Sequence, residues 1–80
     1  MDVANINNQR VYIAKFKGEY KWHKHECSDE FFHVLSGNIT IETEDKSIEL
    51  QQGECAVIPK NTLHKPFAIN EANVLMISES

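Results

Sequence analysis

The residues of this 80-residue chain best suited to chemistry are its histidines and one carboxylate between them. His23 and His25 stand two apart. Glu30 follows after Cys27-Ser28-Asp29, and His64 lies far along the chain, just past Pro59-Lys60-Asn61. Neutral imidazole nitrogens and a carboxylate are a donor set for Zn, Ni, Fe, Mn or Co. Filling four positions of an octahedral ion, they would leave two for water or substrate, the opening that metal-assisted chemistry requires. A His-x-His pair alone is more often plain strand polarity, so the reading depends on the elements that carry it.

Those elements read as short strands. Arg10 to Lys17 is rich in β-formers and is broken by Gly18. Tyr20 to His25 reads as a second strand, on which residues i and i+2 share a face. His23 and His25 would then converge, and Glu30 would open the next strand, Glu30 to Leu35. Asn38 to Thr43, Ser47 to Gln51, Glu54 to Ile58, Leu63 to Ile69 and Asn73 to Ile77 follow, separated by Gly-, Asn-, Pro- and charge-rich turns. About eight strands with turn signals every ~6–12 residues predict an all-β sandwich or barrel. Parallel βαβ crossovers would need intervening helices, and the pattern contains none. Residues 1–9, polar and rich in Asn, read as a frayed lead-in or a helix end, with a single domain over 10–80.

Composition narrows the function. A domain this short buries only about 60% of its unfolded surface, so a metal, a second copy or both would help it. The net charge of −4 provides no basic face for nucleic acid. No apolar run approaches the ~18 residues of a membrane span, and the N-terminus has no apolar signal core, so a cytoplasmic location is the default expectation. Cys27 and Cys55 lie outside any CxxC pair, and a disulfide is not expected. Cys55, in Cys-Ala-Val-Ile, reads as a small core residue. Cys27 stands between two candidate ligands, although zinc thiolate sites usually pair cysteines at short spacing.

At these residues the chain resembles the cupin superfamily, in its minimal single-domain, type-2, mannose-6-phosphate-isomerase-like form. The first cupin motif, Gly-x5-His-x-His-x3–4-Glu-x6-Gly, is met by Gly18, His23, His25, Glu30 and Gly37, with four residues instead of five after Gly18. The second, Gly-x5-Pro-x-Gly-x2-His-x3-Asn, is met by Gly53, Pro59 and His64. Asn61 replaces its central Gly, and Asn tolerates the positive φ of such a turn. Ala68 replaces its final Asn. The resemblance implies a jelly-roll β-barrel or sandwich. It also implies one divalent metal held by His23, His25, Glu30 and His64, and a homodimer.

Strand parity from Glu30 sends Phe32 and Val34 inward and Phe31, His33 and Leu35 outward, so His33 is not a ligand and Phe31 and Leu35 are expected to pack, in the other layer or in a dimer interface. Trp22 reads as a packing residue, and Lys65 as solvated. Phe32, Ile58 and Phe67 are candidate pocket walls, although each reads first as plain core. Two functions follow. One is a metal-dependent enzyme on a small molecule, sugar-like or carbonyl-bearing, with no separate general base in view. The other is a non-catalytic small-molecule binding or sensing module with a structural metal. A third, a scaffold without metal, is disfavoured by the retention of all four ligand types.

Overall fold

A computed structural model describes residues 1–79. Ser80, the last residue of the expected domain, lies outside the described residues. The chain is all-β and antiparallel, with β1 (Asp2–Ile6), β2 (Gln9–Glu19), β3 (Glu30–Ser36), β4 (Ile39–Thr43), β5 (Ser47–Leu50), β6 (Cys55–Ile58) and β7 (His64–Glu79). Strand β7 organises the rest. Its first half pairs with β4 (Thr43↔His64 to Thr40↔Phe67), and its second half pairs with β3 (Val34↔Val74 to Phe31↔Ile77). Along its other edge it runs beside β2 for nearly its whole length. The hairpin β4–β5 and the β3–β6 pair therefore attach to different halves of one strand.

The apolar faces of both halves form one core. Phe32 and Val34 of β3, Ile39 and Ile41 of β4, Leu50 of β5, and Val74 and Met76 of β7 are buried together with Phe16. The alternation read along β3 holds: Glu30, Phe32 and Val34 are buried, whereas Phe31 and His33 are partly exposed. Leu35, expected to pack, is 40% exposed.

Several expectations change. First, among the described residues the sheet has seven strands and does not close: β1 and β6 end its path, and β5 pairs only with β4. Closure would need a further partner for β6, which is four residues long and stops at Pro59, a residue without a donor for a ladder. Second, Leu63–Ile69 and Asn73–Ile77 are one continuous strand, because β2 runs along β7 past the exposed Asn70 and Glu71. Third, the segment read as a lead-in forms β1, which pairs with β2 although all five of its residues are exposed.

Gly18 does not end β2. It sits at positive φ (82°) in a register shift after Phe16, and the strand resumes at Gly18–Glu19. Cys55 is exposed rather than core: it pairs with His33, so parity turns it to the outer face of the sheet. Among the described residues no helix is long and apolar enough to cross a membrane.

Candidate functional site

His23 and His25 lie on no strand of the sheet. The segment after β2 forms one β-bridge with β7, where His23 and His64 exchange both backbone hydrogen bonds at 2.9 Å. Two further bonds hold this segment: the Tyr20 N–H donates to the Pro66 carbonyl (3.2 Å), and the Asn61 N–H donates to the His25 carbonyl (2.7 Å). A longer ladder does not form. The Lys21 carbonyl lies 2.9 Å from the His23 Nδ1, so the side chain is bonded locally to its own backbone. The two histidines still converge, with ring centroids 5.4 Å apart at right angles.

Glu30 opens β3 and His64 opens β7, each at the strand position where parity points into the interior. The turn before His64 places Asn61 at φ 63°, the conformation in which Asn can replace Gly. The donor atoms of His23, His25, Glu30 and His64 all lie within 4.8 Å of one another. Glu30 Oε2 is 3.1 Å from His25 Nε2, and Glu30 Oε1 is 3.0 Å from His64 Nε2. Glu30 and His64 are buried, while His23 and His25 are half-exposed at the mouth.

Proton positions follow from the partners. A carbonyl only accepts, so the His64 Nδ1, 2.8 Å from the Thr62 carbonyl, carries a proton and donates it. The His23 Nδ1 donates likewise to the Lys21 carbonyl. These backbone bonds leave Nε2 as the atom turned to the cluster, the way ligating histidines are commonly oriented. A buried carboxylate is costly without positive charge beside it. In the metal-free protein a protonated His64 beside Glu30 supplies that charge. Burial pushes the His64 imidazole toward its neutral form, but the bonds to Glu30 and to the Thr62 carbonyl, with the Glu30 charge, raise its pKa above the ordinary 6.5. A divalent ion offers the same compensation to all four side chains at once, so the donor set fits a metal.

The cluster opens on a cavity of about 290 Å³ walled by Tyr12, Phe16, Tyr20, Phe32, Pro66 and Met76, with Ala14 at its side. Of the walls expected from sequence, Phe32 lines it, whereas Phe67 and Ile58 do not. The Tyr12-Ala14-Phe16 alternation of β2 was the legible signal for the opposite wall. Trp22 is 44% exposed. Lys65 is bridged to Glu19 (2.9 Å) and lies 3.8 Å from Glu42 and 5.6 Å from the centre of the Trp22 ring. It is a cross-link among β2, β4 and the ligand segment, not a solvated side chain. Its bond to Glu19 raises its pKa, against a smaller opposing effect of burial. Cys27 is exposed and outside the four-residue cluster, and His33 lies on the opposite face of β3.

Comparison with known proteins agrees with this geometry. The cupin domain profile matches residues 10–78. The uncharacterized protein YdbB of Bacillus subtilis is 41% identical over 64 residues, 79% of this chain, and the match spans 57% of that protein's length. A cupin-2 domain containing protein from Shewanella frigidimarina is 38% identical with a TM-score of 0.96, over 100% of this chain and 78% of that one. Protein NMB1881 from Neisseria meningitidis is 28% identical with a TM-score of 0.89, over 100% of this chain and 82% of that one. With its jelly-roll strands and both histidine motifs in place, the chain belongs to the cupin domain family.

Proposed function

We propose that the protein binds one divalent metal ion through His23, His25, Glu30 and His64, and uses it to hold a small molecule in the adjoining cavity. The observation that carries this reading is the buried Glu30 carboxylate, which meets one imidazole at each oxygen, 3.1 and 3.0 Å away. When bound, the metal would act as a Lewis acid toward an oxygen of the ligand. The chain's own residues do the positioning. The Thr62 and Lys21 carbonyls fix His64 and His23, Phe32 packs edge-on against His64 at 6.3 Å, and the bridge to β7 holds the ligand segment in place.

Beyond the ligands the titratable side chains lining the cavity among the described residues are Tyr12 and Tyr20, so no carboxylate, histidine or lysine stands there as a separate general base. That favours binding, or chemistry confined to the metal, over proton-shuttling catalysis. The outer face of the sheet, where Phe31 and Val57 pair across β3 and β6 with Val57 55% exposed, supports a homodimer. A cytoplasmic location belongs to the same proposal.

Titration with Co²⁺, followed by its visible absorption, tests the site. The reading expects one ion per chain with a spectrum of nitrogen and oxygen ligation. It expects uptake to be lost in His64→Ala and retained in His33→Ala, whose ring faces the other side. Equal uptake by both variants would overturn it.

A further inference from the structure

We infer that the cavity selects a ligand with an apolar body and a chelating, oxygen-bearing end, and disfavours a polyhydroxylated, sugar-like one. This rests on the proposed metal site and specifies what it takes. Away from the ligand cluster the wall consists of Phe16, Phe32 and Met76, all nearly fully buried, with Pro66 and the rings of Tyr12 and Tyr20. Phe16 and Tyr20 are packed ring to ring with centroids 4.8 Å apart. The Tyr20 hydroxyl donates to the Lys15 carbonyl at 3.1 Å, so Tyr20 offers the cavity its ring and not a polar atom. The Tyr12 ring is held beneath the Arg10 guanidinium at 4.0 Å. Outside the end formed by His23, His25 and Glu30, the hydroxyls of Tyr12 and Tyr20 are the only polar side-chain atoms of the lining among the described residues, and that of Tyr20 is engaged.

A sugar in such a cavity would bury hydroxyls with too few partners, and each unpaired hydroxyl costs free energy. An aromatic or aliphatic body buries apolar surface there at a gain. Polar recognition is left to the end nearest Glu30 and the histidines, where a metal would accept oxygen donors. At about 290 Å³ the cavity suits a small ligand, at the lower end of the range for ligand pockets.

Three hydroxamates with one chelating head and different bodies test this: acetohydroxamate, benzohydroxamate and gluconohydroxamate. Each is titrated into the Co²⁺-loaded protein, and the shift in Co²⁺ absorption is read. Benzohydroxamate is expected to bind at least about tenfold tighter than acetohydroxamate, and gluconohydroxamate no tighter than acetohydroxamate. Ala14→Phe, which fills the cavity, should abolish the benzohydroxamate advantage while keeping one Co²⁺ per chain. Tyr20→Ala, on an exposed wall, should reduce that advantage while keeping one Co²⁺ per chain. Equal affinities for benzo- and acetohydroxamate, or tightest binding of gluconohydroxamate, would overturn the inference and leave the metal site standing. Failure to take up Co²⁺ would remove both.

Discussion

Glu30 and His64, 34 residues apart in the chain, meet at 3.0 Å between a carboxylate oxygen and the imidazole Nε2, both buried. Because the His64 Nδ1 already donates to the Thr62 carbonyl, this contact has to be bridged by a proton or a metal. Most of the behaviour expected of the protein follows from that competition.

Glu30→Gln keeps the shape of the side chain and removes its charge. It should weaken Co²⁺ or Zn²⁺ binding by more than the roughly 100-fold seen when an outer partner of a ligand is lost. Competition with a chromophoric chelator measures it. A change of less than about tenfold would mean that Glu30 is not a ligand.

Proton and metal should have opposite pH signatures. The folded pKa of His64 is raised, so its contribution to the stability of the metal-free protein is complete below 6.5 and is lost as pH rises through the raised value. Metal binding has the reverse dependence, because protons compete for the same nitrogens as pH falls. The increase in Tm produced by added metal should therefore shrink between about pH 8 and about pH 6. Thermal melts of metal-free and metal-loaded protein across that range check both signs.

Gly37 and Gly53 share a positive φ and differ in their surroundings. A Cβ at Gly37 would come within 2.8 Å of the Glu71 carbonyl oxygen and 3.0 Å of the Ala72 Cα, whereas a Cβ at Gly53 meets nothing within 4 Å. Gly53→Ala should cost about 1–2 kcal/mol from backbone strain. Gly37→Ala should cost that and a further ~1–3 kcal/mol of overpacking against β7. Urea unfolding of the two variants separates the terms.

Asn61 stands at φ 63° and donates its N–H to the His25 carbonyl at 2.7 Å. Asn61→Gly should retain fold and metal affinity. Asn61→Val should lose about 1–2 kcal/mol and weaken metal binding, because the turn orients both His25 and His64. Paired denaturation and Co²⁺ titrations on the two variants would show the coupling.

Val57→Asp tests the proposed dimer. Val57 is 55% exposed, so the change should leave the monomer fold intact and shift sedimentation from dimer to monomer. A wild-type monomer at micromolar concentration would contradict the proposal.

The strands were legible wherever one face is buried. Phe32 and Val34 face inward, and Ile39 and Ile41 lie buried on β4, as alternation predicts. Asn61 was legible as a left-handed turn residue because its chemistry permits that conformation. Tyr20–His25 carries a strand-like sequence, yet it pairs at one bridge only, since the Lys21 carbonyl is engaged by a side chain and not by a ladder. Cys55 reads as core in its apolar run, and only its register opposite His33 reveals an outer face. The salt bridge between Lys65 and Glu19 links positions 46 apart, which no local pattern encodes. The four clustered side chains were found through motif spacing, and the cavity beside them needed the fold.

Elemental analysis of the natively purified protein beside the His23→Ala/His64→Ala double variant tests the central claim most directly. About one divalent metal per chain in the native protein, absent from the variant, is the expected result. No metal in either protein, even after reloading, would contradict the metal site and leave a small cupin fold whose histidine cluster serves another purpose.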